Sequence, residues 1–380
     1  MILVTESEPV KMDSTRNFQN HLSKSPSVVS IDPVPGNKEH FQQHIHIYRG
    51  IAIILIVCAH TVPSLDWSQH PFLGRFIDAI ANQSSIFFFY IAGYLFQHLS
   101  KNFNYRKYLS QKAKTVILPY LILSIPALIV FTTWVQREGV WPWFYTLPVW
   151  NQILLFLLTG KHLIPLWFVP SISLLYLAAP LFLLIDRRAP RLYWIILPLF
   201  LLSVYIGRSH FVNPFGPALY LLPTYLLGMA FSHYRSRAEL LVTKAKVWLP
   251  LVILTLFGLL GSTLSWSEPP YYFMVAKAPA ALLLTVALKR WYGIFGNKLD
   301  YIAHISFGIF FVHAYFISAI KIATEYLVNG IVYKGYGSHA LQGNLPIFFT
   351  YMIGVLLLSV GSLWIAQKLF GKRSRMIVGA

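Results

Sequence analysis

Long apolar runs separated by short polar ones recur along most of the chain. Beyond residue 42 there are ten of them, at roughly 45–64, 77–97, 115–135, 166–185, 192–207, 217–233, 247–264, 271–288, 301–322 and 346–369. A helix needs about 20 apolar residues to cross a bilayer. The pattern therefore predicts an all-α, polytopic integral membrane protein with about ten transmembrane helices, the fifth one short. Residues 1–42 are different: rich in Ser, Pro, Asn and charge, with no long apolar run, they read as a disordered cytoplasmic tail. Met1 to Val4 is too short for a signal-peptide core, so the first span is expected to stay as an anchor. Residues 43–371 form the expected transmembrane domain and 372–380 a short basic tail. The connection from Gln136 to Pro165 carries Trp141, Trp143 and Trp150, with Trp134 just before it. Tryptophan favours the membrane interface, which predicts an interfacial or re-entrant element at the outer surface.

Composition supports the class. Of 380 residues, 56% are hydrophobic and 12% charged, which excludes a soluble globular protein. A net charge of +18 would suit a nucleic-acid binder, but its distribution points elsewhere. With both termini placed in the cytoplasm, the inner loops and C-tail hold eighteen Lys and Arg. The outer loops hold five: Arg75, Arg137, Lys161, Arg208 and Lys334. That is a positive-inside bias. Membrane lipid is the expected partner, and nucleic acid is not. The single cysteine, Cys58, excludes an intramolecular disulfide and a cysteine-based metal cluster. No metal-ligand spacing or glycine-rich nucleotide loop is present, and no metal is expected.

Candidate chemistry begins in the first span. Arg49 and His60 are eleven residues apart, with an apolar run from Ile51 to Ala59 between them. Eleven steps of about 100° bring the two within about 20° around a helix and about 16 Å along it. A cation and an imidazole on one stripe of a membrane helix call for a polar interior. The assumed orientation puts His60, Asn82, Gln83, Trp167, Lys277 and His313 in the outer half. Together they outline a polar pocket open to the outside. Each also has a structural alternative. His60 and His313 suit a hydrogen-bonded core, Lys277 can snorkel, and Asn82 and Gln83 can bind helices together. On the inner side, Arg106, Lys107, Lys112 and Lys114 precede the third span. They read either as ordinary positive-inside charge or, with Arg49, as a cradle for an anionic cytoplasmic ligand.

At these residues the sequence resembles the acyltransferase family 3 membrane proteins. Tyr48-Arg49-Gly50-Ile51 followed by His60 is similar to the family's arginine–ten residues–histidine signature. Ser85 to Phe96 resembles its aromatic second span, and Lys112 to Tyr120 its basic loop before the third. Pro165-Leu166-Trp167-Phe168 resembles its Leu-Trp-Phe element, and Ile305 to His313 its late Ser-Tyr-Gly-Ile-Tyr-Leu-Leu-His stretch. Where many members carry an Arg-x-x-Arg pair, this chain has Lys112 and Lys114, which supply charge without the bidentate fork. Phe307 replaces a usual tyrosine.

The resemblance implies transfer of an acyl group, usually acetyl, from cytoplasmic acyl-CoA (acetyl-CoA) to a glycan hydroxyl. The implied acceptors are surface polysaccharide, exopolysaccharide or lipid-linked glycan, and the implied location is the bacterial inner membrane. The catalytic candidates are His60, Arg49 and His313. Arg49, Lys112, Lys114 and Arg106 are candidates for the acyl-CoA phosphates, and Asn82, Gln83, Trp167 and Lys277 for substrate or oxyanion contacts. The rival readings are a glycan or small-anion transporter or flippase, and a scaffold for polysaccharide assembly.

Overall fold

The computed structural model describes residues 42–208, 213–264, 271–330 and 341–380. The expected tail through residue 41 and the outer-loop Lys334 lie outside them. The described chain is helical, and its helices are α1 (Gln43–Thr61), α2 (Pro71–Ala81), α3 (Ser85–Leu99), α4 (Tyr105–Lys112), α5 (Leu118–Ile129), α6 (Val149–Thr159), α7 (Phe168–Leu177), α8 (Ala179–Arg188), α9 (Ile196–Ile206), α10 (Phe215–His233), α11 (Arg235–Val242), α12 (Ala245–Leu264), α13 (Tyr271–Arg290), α14 (Tyr292–His304), α15 (Ser306–Asn329) and α16 (Leu345–Phe370). Among the described residues eight stretches are long and apolar enough to cross a membrane, or ten if each of two bent pairs is one span. The protein is a multi-pass membrane protein of the expected all-α class.

Helix α1 lies at the centre. Ile45, Tyr48, Ala52, Ile53 and Val57 are fully buried, and α1 packs on α3, α13, α14, α15 and α16. A helix apolar on all sides belongs inside a bundle. Helix α12 has the opposite character, exposing Leu249, Ile253, Leu256, Phe257 and Leu260. Lipid is as apolar as leucine, so helices in a bilayer associate through close packing. The α3–α10 crossing shows how: a Cβ on Gly93 would stand 1.9 Å from the Tyr225 carbonyl oxygen, and one on Gly228 2.0 Å from that of Tyr90.

Several boundaries differ from those the apolar pattern predicts. The second element starts at Pro71 and is interrupted at residues 82–84, where Asn82 takes an extended ψ of 149° and Gln83 a left-handed φ of 56°. The third begins at Tyr105, so the basic segment is helix α4 rather than a loop. Its start is capped by Asn104, which accepts from the Lys107 amide. A π-helical turn, Ala113–Ile117, links α4 to α5. It stands where Pro119 has no amide hydrogen for the carbonyl four residues back.

The Trp-rich connection, expected to hold an interfacial or re-entrant element, contains helix α6. Val149–Thr159 and Ile164–Leu177 form a pair bent by 70°. Gly160 makes the corner at φ 70°, and a Cβ there would come within 2.4 Å of the Leu166 carbonyl carbon. The expected fourth span, 166–185, is broken at Ala178. Helix α8 instead pairs with Pro190–Ile206 at 117°. The expected ninth span is divided at Ile305, so His313 lies seven residues along α15 from Ser306.

Candidate active site

The α1 stripe survives intact. The helix is continuous from Gln43 to Thr61, so Arg49 and His60 stand about 16 Å apart along it. Each marks a separate polar region.

His60 borders a cavity of about 610 Å³. Six parts of the chain build its wall, one of them the loop Arg137, Glu138 and Gly139. From α1 come Ile56, Ala59 and His60; from the α2–α3 interruption come Asn82, Gln83, Ser84 and Ser85. The α6–α7 corner contributes Lys161, Pro165, Trp167 and Phe168, and the α9–α10 connection contributes Arg208. Phe310 of α15 also lines it, with its ring centroid 6.3 Å from that of His313.

Behind His60 stands His313, with ring centroids 5.4 Å apart. The His313 Nδ1 donates to the Ile309 carbonyl at 2.9 Å. A carbonyl only accepts, so Nδ1 carries the hydrogen and Nε2 of the neutral ring keeps its lone pair. That Nε2 is buried without a partner, and His60 is the polar ring beside it. His313 itself does not line the cavity.

The α2–α3 interruption is held in place locally. Asn82 donates through Nδ2 to Asp78 at 3.1 Å, and its Oδ1 accepts from the Gln83 amide at 2.7 Å. The Gln83 Oε1 accepts from Tyr220 at 2.7 Å. A non-glycine residue in the left-handed region costs on the order of 1–3 kcal/mol, and these contacts offset it. The break turns polar side chains into the cavity where a continuous helix would have spread them around its circumference. Next to it, the Ser85 hydroxyl is buried with no partner. Ser85 belongs to the polar run Asn82 to Ser85 expected in the outer half, although it carried no assigned role there.

Arg208 was read only as a loop charge, yet it lines the cavity with its guanidinium 4.9 Å from the centre of the Trp167 ring. Burial pulls it below the usual arginine value, while Tyr220 and Asp78 act in the other direction. Arginine remains charged at any working pH. Lys161 and Arg137 line the same cavity, so three of the five expected outer-loop cations converge there. Their persistence in loops otherwise poor in cations was the available signal.

Lys277 is not part of this cavity. Its Nζ donates to the Ile80 carbonyl and lies 5.5 Å from the Phe87 ring centre. The last carbonyls of a helix lack intrahelical partners, and Lys277 satisfies one at the end of α2. The structure thus sets Lys277 apart from Asn82, Gln83 and Trp167, the oxyanion candidates that line the cavity. Cys58 is buried in α1, away from the cavity wall.

At the other end of the stripe, Arg49 donates to the Ser306 hydroxyl at 3.1 Å. Lys112 lies over Tyr176 at 4.6 Å and Tyr108 at 5.4 Å. Arg49 and Arg375 are both within electrostatic reach of Lys112. Arg375 was unexpected here. Residues 374–380 fold back onto the bundle, with Ser374 donating to the Ala380 carbonyl at 2.6 Å and Val378 buried. The Tyr225 hydroxyl, electrostatically coupled to Tyr108 and Tyr176, is buried with no partner. Arg106 and Lys114 are exposed and do not join the cluster, because residues six and two positions from Lys112 fall on other faces of a helix. Among the described residues no group of three or more His, Cys, Asp or Glu is arranged to hold a metal.

A family model described as an acyltransferase domain, that of acyltransferase family 3, matches residues 43–364. Both polar regions fall within the match except for Arg375. No curated protein and no solved structure matches the chain at a significant level.

Proposed function

Because the chain belongs to acyltransferase family 3, we propose that it is a membrane O-acyltransferase. It moves an acyl group, in the simplest case acetyl, from cytoplasmic acyl-CoA to a hydroxyl of a surface or lipid-linked glycan. The membrane is the bacterial inner membrane, with Arg49 on its cytoplasmic side. The observation that carries the reading is His60, an imidazole on a cavity wall, backed by a second imidazole with an unpartnered acceptor.

The donor's phosphates dock at Arg49, Lys112 and Arg375, where cations converge. Arginine supplies the bidentate fork and lysine a point charge. An extended pantetheine arm reaches on the order of 15 Å at the chain reach of ~3.3–3.6 Å per residue unit. That is the separation of Arg49 from His60. The acceptor hydroxyl enters the cavity from the other side.

His60 takes the hydroxyl proton as the oxygen attacks the thioester carbonyl. The tetrahedral intermediate collapses, the carbon–sulfur bond breaks, and the imidazolium returns the proton to the departing thiolate. Imidazole suits both directions because its ordinary pKa lies near working pH. His313 Nε2 is unpartnered beside the His60 ring; accepting the other His60 N–H during transfer would fix the tautomer that leaves a lone pair toward the cavity. The Ser85 hydroxyl and the Gln83 amide are donors for the oxyanion.

The test is deletion of the gene with complementation by wild type or His60→Ala, reading the O-acyl content of extracted surface glycan by NMR. Acylation is expected to disappear on deletion and return only with wild type. A fall in glycan quantity with unchanged acylation per sugar would instead favour the carrier.

A further inference from the structure

The cavity that holds His60 is cationic. Its ionisable wall residues besides His60 are Arg137, Lys161, Arg208 and Glu138. Setting Arg137 against Glu138 leaves Lys161 and Arg208. Lys161 donates to the Gly139 carbonyl at 3.2 Å and lies 4.8 Å from the Trp141 ring centre, contacts that cancel no charge.

Arg208 carries the argument furthest. Among the described residues no hydrogen bond or ion pair holds its guanidinium, which rests on Trp167. Asp78 is its nearest acid electrostatically, but Asp78 already accepts from Asn82 and also faces Lys277. One carboxylate cannot neutralise two cations. A half-buried arginine with unfilled donors, stacked on an aromatic plane, is a preset fork for an anion. It is also within electrostatic reach of His60, so the anion it binds belongs to whatever His60 acts on.

We propose that Arg208 is a specificity-determining residue and that the acceptor is an anionic glycan, bearing a carboxylate or phosphodiester close to the acylated hydroxyl. Trp167 holds the guanidinium flat and gives the sugar an apolar face to stack on. Lys161 adds attraction at the rim. The inference rests on the transferase reading above and adds the chemical class of its acceptor.

The test uses membranes containing the full chain, labelled acetyl-CoA, and unacylated glycan extracted from the deletion strain. The glycan is supplied untreated, with its carboxylates reduced to alcohols, or with its phosphodiesters cleaved. Wild type is expected to lose about 10- to 100-fold in kcat/KM on one treated form, the value of a charge-assisted bidentate contact. The form that fails identifies the anion. Arg208→Met is expected to raise KM for untreated glycan by a similar factor and to abolish the preference between forms, with Arg208→Lys recovering part of it. The glycan arms need only wild type, so a misfolded variant leaves the test intact. Equal transfer by wild type to all three forms would overturn the inference while leaving the transferase standing. Transfer to none of them would overturn both.

Discussion

Two histidine clusters in this protein differ in their partners. In the first, Asp186 of α8 accepts from Tyr193 at 2.7 Å, from His233 Nδ1 at 2.8 Å and from Gln97 at 3.3 Å. The acid is saturated and ties α3, α8 and α10 together. His162 follows the same rule, with contacts from its two nitrogens to the Phe156 carbonyl at 3.1 Å and to Ser124 at 2.8 Å. In the second cluster, His313 has one nitrogen filled and one empty, and His60 beside it fronts a cavity. Buried polar atoms in folded proteins are nearly always paired. Satisfied clusters hold helices, whereas an unsatisfied one beside a void has capacity left for a substrate.

Substitutions should separate the two clusters. The largest effect is expected from His60→Ala, which should lower acyl transfer by about 10²- to 10⁴-fold, the range for loss of a general base. Inserted protein, measured by immunoblot of membranes, should not change. Next is Arg49→Ala, which should raise KM for acyl-CoA more than it lowers kcat. Arg49→Lys should recover part of this, since charge returns without the fork. Asp186→Ala should act on stability alone. Leaving buried donors unsatisfied costs about 1–3 kcal/mol each, so the melting temperature in detergent should fall while turnover per folded molecule stays constant. The smallest effect belongs to Lys114→Met. Lys114 is exposed, and its KM change should be well below that of Lys112→Met, measured in the same acyl-CoA titration. Equal losses from the two lysines would mean that the whole of α4 holds the donor.

The all-α class and a count of eight to ten spans were legible because a bilayer imposes length and apolarity on every span. The Arg49–His60 stripe was legible because the helical repeat converts an eleven-residue spacing into a shared face. The break at Asn82 to Ser84 was not, since polar residues inside an apolar run read equally well as helix interior. Its left-handed turn is held by the local Asn82 contacts together with the pairing of Gln83 with Tyr220, 137 positions away. Helix α6 was legible only as an interfacial or re-entrant element, because an 11-residue helix is too short to register as a span by itself. The destinations of Lys277 and Arg208 depend on neighbours distant in sequence. Periodicity along one segment does not say which of those neighbours a side chain meets. Lys277 therefore proved to be a helix-end clamp, and Arg208, read as loop charge, stands in the cavity.

The most direct test of the central claim, that His60 is the base for transfer, is the initial rate of label transfer from acetyl-CoA to glycan. It should be measured in membranes matched for the amount of wild-type or His60→Ala protein. The expected result is transfer by wild type and a loss of about 10²-fold or more in the variant, with KM for acetyl-CoA little changed because Arg49, Lys112 and Arg375 are intact. A variant that transfers at the wild-type rate would contradict the account.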